Sequence, residues 1–351
     1  MYSVIGAGAL GIALAANLAA MGCYVMMAGA GNRTNSVSAI AAAGSRVSVN
    51  GGAGHQVHVV DTNNAIRNAG FIFITMPTDG HPTIIEALRS HVLSNKVVIV
   101  LPAGYFPAIA KALNCPTIGA LVVGANSPYA CRKVGAYNTN INGTKKLLQM
   151  AGSGPLFNGA LKNKIGEMLC GTDLQWWNTK FSICMISANV LMHPAAMIAA
   201  HGHILGSYPV SFYGEAVPMA ANQIMQIDSE VTAIANLLRI QHQGLLSLLA
   251  SWYDVSGTDL STVVKSIPAY KGITAPWTIH NSRLLGNEDI PLLVVVSKIA
   301  ELLDIEVPAM DTTINAACSA LSKDSWEGPL TLATLGIPEN ATPDQIKAAF
   351  D

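Results

Sequence analysis

The residue pattern with the clearest chemical meaning is a glycine-rich loop near the start of the chain. A G-x-G-x-x-G pattern over residues 6–11 follows a short apolar strand and opens an Ala-rich helix. In such a loop Gly6 permits the tight turn, Gly8 lets a pyrophosphate approach the backbone, and Gly11 lets the helix pack against the sheet. The first N–H groups of the helix, including those of Ala9 and Leu10, are free to bind phosphate. These residues therefore predict a dinucleotide site at Gly6, Gly8, Ala9, Leu10 and Gly11.

The end of the second strand indicates which dinucleotide is preferred. Enzymes that bind NAD usually have Asp or Glu about 20 residues further on, where it bonds the ribose 2′-hydroxyl. Residues 28–34 contain no carboxylate, and Arg33 lies where it can pair with a 2′-phosphate, with Thr34 and Ser36 as further donors. We therefore expect NADP(H) to be preferred, with NAD(H) still possible. The alternative is that Arg33 is a solvated loop charge.

A histidine in the second half is the main candidate for acid–base chemistry. His193 lies in an apolar segment four residues after Asn189, so a helix would place both side chains on one face. An imidazole titrates near neutral pH and can exchange protons with a substrate. On spacing alone, a core histidine with satisfied hydrogen bonds is the more frequent explanation.

Two charged residues, Arg283 and Asp289, lie in a connecting segment just before an apolar run that begins at Pro291. Connections between elements are where function concentrates. Spacing alone slightly favours another explanation, in which Asp289 caps the next helix and Arg283 is a solvated charge. His201 and His203 have no cluster of Cys, Asp or Glu near them in the sequence, so we predict no metal site.

The pattern of elements that must position these residues predicts two domains. Through residue 174, short apolar strands alternate with helical segments, which is typical of an α/β Rossmann domain with a doubly wound parallel sheet. A hairpin is expected around Asn142-Gly143. Long apolar segments with helical period follow, and they predict an all-α domain. We place the dinucleotide-binding domain at 1–174 and the helical substrate and catalytic domain at 175–351.

Composition excludes several classes of protein. The 351 residues are 51% hydrophobic and 12% charged, with a net charge of -1, so neither disorder nor nucleic-acid binding is expected. The six cysteines form no C-x-x-C pair, which is typical of a reducing compartment. The uncharged stretch 181–214 is interrupted by proline and histidine, so we expect buried helices of a cytoplasmic protein and no membrane span. Because the helical domain is so apolar, we also expect part of its surface to associate with a second copy in a homodimer.

Further motifs are spread over the rest of the chain. They are Pro77 with His81, Cys131-Arg132, Asn189 through Met192-His193-Pro194, Phe212-Tyr213-Gly214-Glu215 with Pro218, Pro268–Ile273, Arg283, Glu288-Asp289 and the ending from Glu327-Gly328 to Leu335-Gly336. With these motifs essentially the whole chain resembles the opine dehydrogenases, the octopine/nopaline dehydrogenase superfamily, and above all its N-(1-carboxyethyl)amino-acid type.

The resemblance implies an NAD(P)H-dependent oxidoreductase that condenses a 2-oxo acid, typically pyruvate-like, with the amine of an amino acid through an imine. It implies that His193 is the catalytic histidine and Asp289 its carboxylate partner. The other implied contacts are those of Asn189, Arg283 and Tyr213 with substrate and of Pro77 with the cofactor.

A ketopantoate-reductase-like 2-hydroxyacid dehydrogenase is the alternative. That family has a catalytic lysine on the first helix after its Rossmann domain, and Lys180 stands in the corresponding segment of this sequence. However, Cys184 stands where that family has an asparagine one turn later. A protein that binds NADP without catalysis is the third hypothesis.

Overall fold

The computed structural model describes residues 1–31, 33–276, 284–285, 288–326, 328 and 330–351. Within these ranges the chain divides into two compact units, Met1–Ile183 and Cys184–Asp351. This division falls after residue 174, where the sequence places the end of the nucleotide domain.

The first unit is built on two sheets. Its strands are β1 (Tyr2–Ile5), β2 (Val25–Ala28), β3 (Arg46–Val49), β4 (His55–Gln56), β5 (His58–Val59), β6 (Phe71–Ile74), β7 (Val97–Val100), β8 (Ala120–Gly124), β9 (Tyr129–Lys133), β10 (Asn138–Thr144), β11 (Leu147–Ser153) and β12 (Asp173–Trp176). The larger sheet has the order β12-β11-β8-β7-β6-β1-β2-β5, and the smaller one has the order β4-β3-β10-β9. In the larger sheet the neighbours from β8 to β5 pair in parallel, whereas β11 pairs antiparallel with β8.

Helices alternate with the strands of the first unit, as the pattern predicts. They are α1 (Ala9–Ala20), α2 (Asn35–Ala42), α3 (Thr62–Asn68), α4 (His81–Arg89), α5 (Phe106–Ala112) and α6 (Gly159–Met168), and α7 (Lys180–Met185) includes the division between the two units. All four residues of β2 and of β7 are buried, because a central parallel strand is covered on both faces. The predicted doubly wound Rossmann fold is confirmed, and it places the carboxyl ends of β1, β2 and β6 along one edge of the sheet.

The hairpin predicted around Asn142-Gly143 is wrong in the position of its turn. β9 and β10 do pair antiparallel, but the chain reverses over residues 134–137. Gly143 lies inside β10, at a shift of register next to Ile141. Asn-Gly is a strong turn signal, but a glycine also suits a strand irregularity, and the pairing with β9 decides between the two.

Among the described residues of the second unit the regular elements are helices, which confirms the predicted all-α half. Its helices are α8 (Ala188–Ala199), α9 (His201–Leu205), α10 (Val217–Met219), α11 (Ala221–Leu238), α12 (Leu245–Tyr253), α13 (Leu260–Ser266), α14 (Asp289–Leu302), α15 (Pro308–Ala320) and α16 (Pro343–Phe350). A π-helical turn, Phe212–Ala216, and a 3-10 turn, Pro268–Tyr270, lie between them. α8 is almost wholly buried and contacts α10, α11, α14 and α15, so it is the core helix of this unit.

One helical stretch of the described chain, Lys180–Ala199, is long and apolar enough to span a bilayer by length and composition alone. Of the 18-residue segment of this stretch that meets the hydropathy criterion, 83% is buried within the protein. A buried core helix of a soluble protein meets the same test, so the stretch is weak evidence for a membrane span.

Candidate active site and nucleotide loop

The glycine loop has the geometry that a dinucleotide needs. Gly6 has a φ of +118°, which disfavours any residue with a side chain. A Cβ at Gly11 would lie 1.9 Å from the carbonyl oxygen of Gly6, so only glycine fits there. At Gly8, by contrast, a Cβ would meet nothing within 4 Å, which leaves the backbone open to a ligand. Since no side chain caps α1 and its first turn contains no acidic residue, the loop fits a pyrophosphate.

Arg33 makes a contact that sequence analysis did not foresee. Its Nη2 lies 2.5 Å from Oδ2 of Asp79, in the turn between β6 and α4 that begins after Pro77. Thr34 is the N-cap residue of α2, but its side chain makes no capping hydrogen bond. The guanidinium thus already has an anionic partner, and binding of a 2′-phosphate by Arg33 and Thr34 stays a prediction.

His81, the other member of the motif with Pro77, is a core residue. It is fully buried, packs edge-to-face on Phe106 with ring centroids 5.3 Å apart, and has no hydrogen-bond partner of good geometry on either ring nitrogen. Desolvation lowers the pKa of His81 to about 4, against an opposing effect of the Met76 backbone, and the charge of Arg33 lowers it further. The ring is therefore neutral at ordinary pH.

In the second unit, His193 and Asp289 meet. His193 lies in the middle of α8 and Asp289 is the first residue of α14, and these two helices pack on each other. Nδ1 of His193 lies 2.9 Å from Oδ2 of Asp289, and the two residues are only 4% and 2% exposed. Because an ionised carboxylate can only accept, this contact places the Nδ1 proton on the imidazole and leaves Nε2 for other partners.

The second ring nitrogen of His193 faces Tyr213. Nε2 lies 3.2 Å from the Tyr213 hydroxyl, and the ring of Phe212 packs edge-on against the imidazole with centroids 5.3 Å apart. Both aromatic residues belong to the π-helical turn, which Ser211 stabilises by accepting a hydrogen bond from the Gly214 N–H. Such turns are frequent at functional sites. The result is a buried chain of polar groups from Asp289 through His193 to Tyr213.

A second tyrosine holds Tyr213 in place. Tyr270 stacks on Tyr213 with ring centroids 3.8 Å apart and an interplanar angle of 11°. Tyr253 lies edge-on to Tyr270 at 5.2 Å. Burial, together with the neighbouring Tyr253 and Tyr213, holds the pKa of Tyr270 well above its ordinary value. Tyr270 is therefore uncharged, and its stacked ring restricts the rotation of the Tyr213 ring.

Two predicted substrate ligands remain. Asn189 is half-buried on the first turn of α8, one turn before His193, as the spacing predicts. Arg283 lies outside the described residues. Within the described chain no group of three or more His, Cys, Asp or Glu side chains is arranged to hold a metal ion.

Sequence analysis missed two charged residues that contact the predicted nucleotide-binding residues. Asp79 pairs with Arg33, and Lys133, at the end of β9, donates to the carbonyl of Ala7 inside the loop. Lys133 is 126 positions away from Ala7 in the chain. No motif links residues so far apart, so only the pairing of the strands could have indicated this contact.

Each half of the chain matches a known protein family. Residues 176–321 match the family described as NAD/NADP octopine/nopaline dehydrogenase, alpha-helical domain, and residues 2–104 match the family described as NADP oxidoreductase coenzyme F420-dependent. Protein ocs of Agrobacterium vitis is 30% identical over 281 residues, which cover 79% of this chain and 77% of that protein. Vitopine synthase of Allorhizobium ampelinum is 29% identical over 296 residues, covering 83% and 81%.

A solved structure of octopine dehydrogenase with NADH and L-arginine has the same fold, with a TM-score of 0.76 at 19% identity. The match covers 99% of this chain and 97% of that one. Together with the identity to Protein ocs over most of its length, these matches assign the chain to a family. The chain belongs to the octopine/nopaline dehydrogenase family and is an NAD(P)-dependent opine dehydrogenase.

Proposed function

We propose that this enzyme condenses a 2-oxo acid with the amine of an amino acid and reduces the imine, with NADPH as the preferred reductant. Relatives named vitopine synthase and opine dehydrogenase support this reaction class over the ketopantoate-reductase-like alternative. The observation that supports the proposal best is the buried contact of 2.9 Å between His193 and Asp289. When a carbonyl and an amine form an imine, water is lost, and this step requires a group that can donate and accept protons.

The cofactor would be held by the residues at the carboxyl edge of the larger sheet. The free N–H groups at Ala9 and Leu10, above the open backbone of Gly8, suit a pyrophosphate. Arg33 and Thr34 would bind the 2′-phosphate, and Pro77 would border the cofactor after β6. When bound, NADPH supplies a hydride to the imine carbon.

His193 would move the protons of the reaction. Its Nδ1 is engaged by Asp289, so Nε2 is the atom that gives a proton to the hydroxyl group that leaves as water. Asp289 keeps the imidazole in one tautomer and stabilises its charged form during the transfer. In the structure the Tyr213 hydroxyl is the partner of Nε2, so we assign Tyr213 as a substrate-side residue that exchanges a proton with His193.

The other polar residues would bind the substrates. The amide of Asn189 can donate and accept, and its position one turn before His193 directs it to the same face of α8. Arg283 would hold a substrate carboxylate in a bidentate pair. A 2-oxo acid and an amino acid both provide such a carboxylate.

We also expect the enzyme to be cytoplasmic and homodimeric. Leu205 and Tyr208 are 70% and 67% exposed close to each other in the sequence, which supports a surface that associates with another copy. Sedimentation equilibrium tests this expectation, and a monomer at micromolar concentration would contradict it.

The reaction is tested with purified enzyme, NADPH and a panel of 2-oxo acids crossed with amino acids. We expect NADPH oxidation to require both substrates and the product mass to equal their sum less water plus two hydrogens. Reactions without an amine are the control. A 2-hydroxy acid formed in that control would support the ketopantoate-reductase-like alternative and overturn this proposal.

A further inference from the structure

Lys133 joins the glycine loop to the segment that follows β2. Its Nζ donates to the Ala7 carbonyl oxygen at 3.2 Å and contacts the Ser36 hydroxyl at 3.1 Å. Ala7 lies between the first two glycines of the loop, and Ser36 lies in the first turn of α2. One ammonium group therefore lies between the loop that suits a pyrophosphate and the helix next to Arg33, where the cofactor's adenosine ribose would be recognised.

The charge of Lys133 is not neutralised by its partners. A carbonyl oxygen and a hydroxyl are both neutral, and no carboxylate pairs with Lys133 among the residues that the structure describes. Arg33 differs, because Asp79 already pairs with it. An added anion would thus gain a whole unshared positive charge at Lys133, whereas at Arg33 it would compete with a carboxylate.

The surroundings of Lys133 also suit an anion. The first turn of α2 contains no acidic residue, and the Thr34 side chain caps none of its N–H groups. The Ser36 hydroxyl oxygen accepts from the Lys133 ammonium, and its own O–H can donate to a phosphate oxygen at the same time. The ammonium, the hydroxyls and the free N–H groups together can satisfy several oxygens of a phosphate monoester.

We propose that Lys133 is a second cationic ligand of the cofactor's 2′-phosphate and that it determines the preference for NADPH over NADH together with Arg33. This inference rests on the proposed preference for NADPH, but its binding test does not depend on which reaction the enzyme catalyses. Contact of Lys133 with the pyrophosphate instead would make it equally important for NADPH and NADH, because both contain that group.

The test is direct binding to the full-length enzyme, without 2-oxo acid or amine. Nicotinamide fluorescence titrations give the Kd values of NADPH and NADH, and calorimetry compares adenosine 2′,5′-bisphosphate with adenosine 5′-monophosphate. For Lys133→Met we expect an NADPH affinity at least about tenfold weaker, as expected when a charge-assisted hydrogen bond is lost, and an NADH affinity within about twofold of wild type. The variant should also bind adenosine 2′,5′-bisphosphate more weakly than wild type does, whereas its affinity for adenosine 5′-monophosphate should be unchanged.

Two further variants make the result specific. Lys133→Arg keeps the charge and should retain most of the preference for NADPH. Lys164→Met removes an exposed lysine from α6 in the same unit and should change neither affinity. Equal losses for NADPH and NADH, or no loss with either, would overturn the proposal, and thermal melting checks that each variant is folded.

These outcomes are separate from the test of the reaction. A selective loss of NADPH binding would uphold the role of Lys133 even if the screen of 2-oxo acids and amines yielded no opine. An opine product combined with unchanged NADPH binding in Lys133→Met would leave the proposed function intact and reject this inference.

Discussion

At the scale of single residues, the proposed chemistry depends on which partner each nitrogen of His193 has. The pairing with Asp289 was predicted from the family resemblance, and the contact of 2.9 Å agrees with it. The contact of Nε2 with Tyr213 was not predicted, because it requires the π-helical turn to direct that ring toward α8. Sequence motifs name residues, but they do not give the direction of a side chain.

The role of Tyr213 is tested by Tyr213→Phe, which removes only the hydroxyl. We expect kcat to fall by about tenfold or more, because a hydrogen bond to a group that becomes charged is lost, while the Kd of NADPH stays unchanged. Tyr270→Phe is the matched control, because it keeps the ring stacked on Tyr213 and should lower kcat much less. Steady-state kinetics with saturating NADPH measure both, and wild-type kcat in Tyr213→Phe would reject the assignment.

At the scale of elements, the strand, loop and helix at the N-terminus could be predicted because every local signal agrees. A short apolar strand, three spaced glycines and an Ala-rich helix all indicate the same unit. The neighbours of α8 could not be predicted in the same way. Its burial on nearly all faces leaves no polar stripe, so the hydrophobic period does not show that α14 is its partner.

Gly11 and Gly8 should have different roles, because Gly11 is needed for stability and Gly8 for binding of NADPH. In Gly11→Ala the new methyl group would lie 1.9 Å from the Gly6 carbonyl oxygen, so we expect the free energy of unfolding to fall by about 1–3 kcal/mol or more. In Gly8→Ala nothing lies within 4 Å and φ is an ordinary -76°, so stability should be nearly unchanged while NADPH binding weakens.

Urea unfolding and NADPH titration of both variants test this difference. The expected result is a stability defect in Gly11→Ala and a binding defect at normal stability in Gly8→Ala. Equal stability of the two variants would contradict the close approach of α1 to the loop, and wild-type NADPH affinity in Gly8→Ala would contradict binding of the cofactor above Gly8.

At the scale of the whole molecule, composition predicts a folded protein, and the order of the elements predicts two kinds of unit. A chain that is 51% hydrophobic and only 12% charged can bury a large core, and the alternation of elements up to residue 174 distinguishes the α/β half from the helical half. Contacts between distant segments could not be predicted, such as that of Lys133 with the glycine loop, because strand pairing over long separations leaves no local signal.

The stability of the molecule should depend on pH through His81. Its pKa is about 4 in the folded protein and 6.5 when unperturbed, so between these values the unfolded chain binds a proton that the folded chain does not. The free energy of unfolding should therefore decrease as the pH falls from 6.5 to 4, by up to about 3 kcal/mol from this group. Below pH 4 His81 is protonated in both the folded and the unfolded chain, so this group causes no further loss of stability.

Urea unfolding of the wild type and of His81→Leu at several pH values isolates that contribution. Leucine keeps an apolar side chain beside Phe106 but cannot titrate, so the stability of the variant should decrease less between pH 7 and pH 4.5. The other titrating groups are the same in both proteins, which makes the difference between the two curves specific to His81. Parallel curves would contradict a neutral, buried His81.

The most direct test of the catalytic account is a double-mutant cycle on His193 and Asp289. The kcat/KM for the condensation is measured for His193→Asn, Asp289→Asn and the double variant, with NADPH affinity measured alongside. If the two side chains act as one proton-transferring unit, each single variant loses about 10²-fold or more, NADPH still binds, and the double variant is no slower than His193→Asn alone. Losses that multiply in the double variant, or a His193→Asn enzyme with near wild-type turnover, would contradict the account.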